Sequence, residues 1–259
     1  TGALGIPASY LDPKVFNQDA SFLVDAPFIT TMIRNPNHIG CHTLATSESY
    51  FIGTQEIEKE LIEICATDIL KGKIGEQDGY VASGGTEANL QAIWIYRNYY
   101  MQECNAKHEE ICIICSEDSH YSMDKACNVL AINIKKVPVD KDSRVPSKQN
   151  VIETVSDAQI QEKKYFIVVC NMMTTMFGSV DNPSNYTEAM CELGAEYKLH
   201  VDGAYGGFYY PFSNADNTLN FANANVSSIT LDAHKMAQAP YGTGIFLIRK
   251  GYMHYANTQ

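Results

Sequence analysis

The sequence predicts an α/β fold built on a seven-stranded, mainly parallel sheet between helices, with the last strand antiparallel. Three observations carry that expectation. Short apolar runs such as Ile111-Cys112-Ile113-Ile114-Cys115 and Phe166-Ile167-Val168-Val169-Cys170 lack the polar alternation of a one-sided sheet, so they read as strands buried on both faces. Stretches with helical spacing of apolar residues separate most of these runs, as crossovers between parallel strands require. The connection before the last strand, Met236 to Thr243, contains Pro240 and Gly242 and is too short for a crossover helix, which turns that strand antiparallel.

Taken in order, residues 1–53 mix Pro, Asn, Gly and aromatic residues without sustained periodicity. They are expected to form an N-terminal segment packed on the large domain or on a dimer partner, and residues 54–259 form the large domain. A helix is placed over Thr54–Lys71, where Ile57, Leu61, Ile64, Cys65 and Ile69 recur at helical spacing, with Thr54 as N-cap and Gly72 beyond its end. A turn at 75–78 and a strand at 79–83 follow. Gly84-Gly85-Thr86-Glu87-Ala88-Asn89-Leu90 then opens a helix to about Glu103. The alternation continues with a strand at 110–116, a helix through Lys125 to Leu130, a strand at 134–139, a helix at 150–163 and a strand at 165–171. A helix at 185–198 and strands at 199–202, 227–231 and 244–249 complete the count.

Composition narrows the function. The 259 residues are 45% hydrophobic, enough for one large domain with a two-sided core. The formal net charge is −11 and there is no basic run, which argues against a nucleic-acid or anionic-membrane surface. Eight cysteines are scattered, and Cys112 and Cys115 lie inside an apolar run rather than a metal-binding knuckle, so they read as buried thiols and no metal site is expected. No signal peptide and no run of membrane-spanning length is present in the sequence, and the cytoplasm is the expected location. Both ends read as cut points, since the first residue is not Met and the last five form no terminator.

The candidate site is built on strand ends. Ser228-Ile229-Thr230-Leu231 is a β-prone run that stops in Asp232-Ala233-His234-Lys235, and a lysine there lies where open α/β sheets place ligands, able to form a Schiff base. Alone, such a lysine is more often a solvated charge. Upstream, His200-Val201-Asp202-Gly203-Ala204 ends another strand in a carboxylate. A pyridoxal 5′-phosphate site needs that pair, the lysine for the aldehyde and the carboxylate to keep the pyridine nitrogen protonated. Gly84-Gly85-Thr86 at a helix start is either a phosphate cup or a helix capped by Thr86 with Asn89 three residues on. His120, past the end of the strand at 110–116, either stacks on a flat ring or caps a helix. His38, His42 and Thr43 sit in a polar loop, as substrate contacts or as solvated groups.

Five motifs in order resemble the fold-type-I pyridoxal-phosphate enzymes, specifically the group II amino-acid decarboxylases that act on aromatic amino acids, tyrosine or glutamate. They are Ser83-Gly84-Gly85-Thr86-Glu87-Ala88-Asn89; Ser119-His120-Tyr121-Ser122 with Lys125; Thr174-Thr175 followed by Asp181; His200 to Gly207; and Asp232-Ala233-His234-Lys235. The resemblance implies an aspartate-aminotransferase-like large domain and a small C-terminal domain missing from this chain. It also implies Lys235 as the Schiff-base lysine, Asp202 on the pyridinium nitrogen, His120 and Ala204 on the two ring faces, Gly84, Gly85, Thr86 and His234 around the phosphate, and Thr175 near the ring oxygen. The catalytic set is Lys235, His120 and Asp202. Gly203 departs from the usual alanine, and the loop that carries the family's catalytic tyrosine lies past the last residue. The implied activity is decarboxylation of an L-amino acid to its amine, in a homodimer. The alternatives are a carbon–carbon lyase or sulfur-transfer enzyme of the same fold, or a cofactor-binding fragment without turnover.

Overall fold

The computed structural model describes residues 52–256. The chain divides into two compact units, Thr1–Leu61 and Ile62–Gln259, and the second holds the sheet. Helix α1 (Ile52–Ile64) begins two residues before Thr54, which therefore lies in the first turn and is not the cap. It runs into a π-helical turn at Cys65–Ile69 and ends with Lys71 at a φ of 55°, one residue before Gly72. Ile62, Cys65, Ala66 and Leu70 are buried, while Ile57, Leu61 and Ile64 of the expected face are exposed.

The remaining elements are β1 (Gln77–Ala82), α2 (Gly85–Glu103), β2 (Ile111–Ser116), α3 (Ser122–Leu130), β3 (Asn133–Val137), α4 (Lys148–Ile160) and β4 (Tyr165–Asn171). They are followed by α5 (Pro183–Glu192), β5 (Glu196–Gly203), the short α6 (Tyr210–Ser213), β6 (Val226–Asp232) and β7 (Gly244–Arg249). The seven strands form one sheet in the order β1-β7-β6-β5-β4-β2-β3. Only β7 runs against the rest, and it lies between β1 and β6, pairing antiparallel with both. Gln77 and Asp78, expected in a turn, belong to β1 because they pair with Arg249 and Ile248. The helix expected over 185–198 stops early at Gly194, whose φ of 59° is a left-handed helix terminator, and β5 takes over from Glu196.

Side-chain alternation divides the core in two. Along β2, Cys112 and Ile114 join Val151, Val155, Tyr186 and Met190 on the face covered by α4 and α5. Ile111, Ile113 and Cys115 join Ala88, Ile93, Tyr96 and Met123 on the face covered by α2 and α3. Every residue of β2 is buried, which is why it shows no polar alternation, whereas β6 is equally buried although Ser228, Thr230 and Asp232 alternate with Ile229 and Leu231. Cys112 and Cys115 thus point to opposite faces, and burial pushes their thiols up to about 12 and about 11. Among the described residues all seven cysteines are free and no cluster suits a metal; against the expectation of buried thiols, Cys104 and Cys127 are half-buried and Cys191 is exposed.

Candidate active site

Strands β2, β4, β5 and β6 end together at Ser116, Asn171, Gly203 and Asp232, and a cavity of about 450 Å³ opens over those ends. Its lining includes all nine residues expected around a cofactor: Gly84, Gly85, Thr86, His120, Thr175, Asp202, Ala204, His234 and Lys235. His38, His42 and Thr43 lie outside the described residues.

The start of α2 faces this cavity. Its first ladder bond runs from Ala88 N–H to Gly84 O, so the N–H groups of Gly85, Thr86 and Glu87 precede the ladder and have no helical partner. Gly84 is the N-cap and no side chain caps the helix, so Thr86 is not spent as a cap. Glu87 instead turns back to accept from Ser83 N–H at 2.7 Å. A Cβ on Gly85 would sit 2.7 Å from Asp232 Oδ2 and 2.9 Å from Ala204 Cβ, so only glycine lets this turn approach the ends of β5 and β6. A cradle of free N–H groups at the positive end of a helix dipole suits an anion.

Asp202 and Lys235 come from neighbouring parallel strands, β5 and the turn after β6. Asp202 accepts from Asn89 Nδ2 at 2.9 Å and from Ala204 N–H at 3.1 Å, two donors to its two oxygens. Asn89 Nδ2 also donates to Ser122 Oγ at 3.0 Å, and Ser122 Oγ lies 3.0 Å from His120 Nδ1. Because Ser122 N–H also points at Nδ1, that nitrogen is an acceptor, and the proton of the neutral ring sits on Nε2. Burial holds the His120 imidazole below its ordinary range, Lys235 adds to the effect, and Asp202 opposes it.

Lys235 Nζ is 3.2 Å from Asp232 Oδ2, and His234 Nε2 lies 3.6 Å from the same oxygen. Burial pushes the Asp232 carboxyl upward, against the lowering influence of Lys235. Asp232 Oδ1 and His234 Nδ1 are buried polar atoms without a hydrogen-bond partner. Sequence reasoning placed Asp232 in a motif and gave it no role, although a carboxylate three residues before the lysine was the available signal. Asn89 and Asn171 were also missed as lining residues. At Gly203 an alanine would bring Cβ to 2.8 Å from Thr230 O, so here the β5–β6 packing is set to glycine.

Residues 54–257 match the family model described as the pyridoxal-dependent decarboxylase conserved domain. The chain belongs to that family. It is 53% identical, over all of its 259 residues and 62% of the relative's length, to a tryptophan decarboxylase of Clostridium sporogenes. A probable L-tyrosine/L-aspartate decarboxylase of Methanosphaerula palustris is 35% identical over 78% of this chain and 51% of its own. The chain therefore spans about half to three fifths of the length of these relatives. Two solved structures share the fold. L-methionine decarboxylase from Streptomyces sp. 590 aligns with a TM-score of 0.72 at 18% identity over 96% of this chain and 65% of that one, and Lactobacillus brevis glutamate decarboxylase with 0.69 at 21% over 95% and 52%.

The family's cofactor is pyridoxal 5′-phosphate, and the residues present fit it. The free N–H groups of α2, the close approach at Gly85 and the unpartnered His234 Nδ1 suit a phosphate. Asp202 and Lys235, ending adjacent strands, suit the two ends of the pyridine ring system.

Proposed function

We propose that this chain is the cofactor-binding large domain of an enzyme that removes the α-carboxylate of an L-amino acid as CO2 and leaves the amine. The observation that carries this reading is the placement of Lys235 and Asp202 at the ends of adjacent parallel strands over one cavity, opposite an uncapped helix N-terminus. When bound, pyridoxal phosphate supplies an electron sink for the pair left at Cα as CO2 departs. Lys235 would hold the aldehyde carbon and release it to the substrate amine. Asp202 would hold the proton on the pyridine nitrogen, which keeps the sink effective. His120, with its proton on Nε2, would lie against one face of the ring and Ala204 against the other. Gly84, Gly85, Thr86 and His234 would hold the phosphate, and Thr175 would stand near the ring oxygen.

The lining also bears on substrate class. Among the described lining residues there is no arginine, and three carboxylates, Glu87, Asp202 and Asp232, stand against one lysine, Lys235. A second carboxylate on the substrate would meet no dedicated cation there, whereas Tyr121, Met173, Tyr205 and Tyr241 offer apolar and aromatic surface. This supports a neutral aromatic substrate, as does the likeness to a tryptophan decarboxylase.

The reading includes a homodimer in the cytoplasm, with residues 1–53 packed on the large domain or on the partner. Tyr121, Met176, Phe177 and Tyr241 are large apolar side chains left exposed beside or near the cavity, which supports a partner surface there. Among the described residues no helix is long and apolar enough to cross a membrane. The full-length protein, loaded with pyridoxal phosphate and offered tryptophan, tyrosine, phenylalanine, glutamate and aspartate, should form an amine from an aromatic substrate and little from the dicarboxylates. Amine formation from none of them would sink the proposal.

A further inference from the structure

A strip of polar groups lies inside the core behind Asp202. On β5, His200 and Asp202 share one face; on β6, Ser228 and Thr230 stand opposite them in register, just after the irregularity at Leu199/His200. Asn89 and Tyr96, two turns apart on one side of α2, reach this strip from above. All six are buried, His200, Ser228, Thr230 and Tyr96 completely. Polar groups so placed must satisfy one another.

The chemistry of each group fixes the direction of the bonds. Asp202 as a carboxylate only accepts, so the Asn89 amide presents Nδ2 to it at 2.9 Å and turns Oδ1 to His200 Nε2 at 3.0 Å. Nε2 must then carry the imidazole proton, with Thr230 Oγ1 at 3.3 Å as a weaker second acceptor. His200 Nδ1 is left as the acceptor of the Ser228 hydroxyl at 2.7 Å, and Ser228 Oγ in turn accepts from the Tyr96 hydroxyl at 2.6 Å. Reversing any one bond would turn the Asn89 carbonyl toward the carboxylate. Burial pushes His200 down to about 4, so the ring is neutral at neutral pH and the chain keeps a single direction.

We propose that Tyr96, Ser228, His200 and Asn89 form a directed hydrogen-bond relay whose last donor orients the Asp202 carboxylate, which makes His200 a positioning residue for the site. Each donor in such a chain is strengthened by the one behind it. The consequence for turnover rests on the reading of Asp202 as the partner of the pyridine nitrogen. The relay itself does not.

The test is nitrogen NMR on the full-length, cofactor-loaded protein with labelled histidine and with cofactor labelled at the ring nitrogen. His200 should show a protonated Nε2 and an unprotonated Nδ1. Ser228→Ala should release that tautomer and move the ring-nitrogen resonance toward its unprotonated position. Turnover per bound cofactor should fall about tenfold while cofactor affinity changes less than about twofold. Tyr96→Phe, at the outer end, should do the same more weakly, and it serves where Ser228→Ala folds poorly. A His200 with its proton on Nδ1 in the wild type overturns the relay. So does a Ser228→Ala protein that loses thermal stability but keeps the ring-nitrogen resonance and turnover per bound cofactor, while Asp202→Asn moves both. If Asp202→Asn moves neither, the reading of Asp202 has failed instead, and the His200 tautomer alone decides the relay.

Discussion

Lys235 is paired with Asp232, the carboxylate three residues before it, through Nζ and Oδ2 at 3.2 Å. Asp232 is 2% exposed, so its charge has left water and depends on that ammonium and on His234. In the cofactor-free protein, Lys235→Ala should therefore lower stability by about 1–3 kcal/mol, because it leaves a buried carboxylate without its main counter-ion. Adding Asp232→Asn should recover most of that loss, since the amide needs no counter-ion. Thermal unfolding of the two single variants and the double variant checks the pair, and a double variant no more stable than Lys235→Ala alone would contradict it.

A second carboxyl is buried near the cavity. Asp181 Oδ2 accepts from both the backbone N–H and the Nδ2 of Asn171, each at 2.8 Å, yet burial outweighs these bonds and pushes the carboxyl up to about 7. In the unfolded chain the group loses its proton near pH 3.8. Between those values the folded state binds more protons, so this residue lowers stability as pH rises from about 4 to about 7. Asp181→Asn keeps an oxygen for Asn171 and removes the charge. Its stability relative to wild type should rise across that window, by about 2–4 kcal/mol at pH 8. Denaturant midpoints measured from pH 5 to pH 8 test this, and a pH-independent difference would refute it.

Gly85 is where the main chain comes nearest to the strand ends. With a Cβ 2.7 Å from Asp232 Oδ2 and 2.9 Å from Ala204 Cβ, Gly85→Ala has to push α2 outward. The expected cost is about 1–3 kcal/mol of stability, with a loss of cofactor affinity of more than about tenfold as the helix start withdraws. Equilibrium titration with pyridoxal phosphate reads the second effect. Unchanged affinity would show that this turn does not hold the phosphate.

Much of this architecture is legible in the sequence because strand ends are. The runs at 165–171 and 244–249 are bounded by polar or glycine residues and fold over those spans. A residue just past such a run lands at the sheet's ligand-binding edge, which is why Asp202, His120 and Lys235 could be placed together. What was not legible depends on contacts between distant segments. Asn89 meets Asp202 across 113 positions and His200 across 111, and its place in the Ser83–Asn89 motif does not by itself reveal either partner. The apolar face of α1 differs from the expectation because two stripes share helical spacing: Ile57, Leu61 and Ile64 recur at that spacing and stay exposed, while Ile62, Cys65 and Ala66 recur at it too and are buried.

In the proposed reaction Asp202 is the charge that sustains the electron sink, and one comparison of two proteins tests that role most directly. Wild type and Asp202→Asn, both saturated with pyridoxal phosphate, are mixed with L-tryptophan and CO2 release is followed over a single turnover. Asn keeps the side-chain shape and loses the charge, so the rate should fall by a factor of about 10² or more while cofactor occupancy changes little. Equal rates in the two proteins would remove Asp202 from the mechanism and contradict the account.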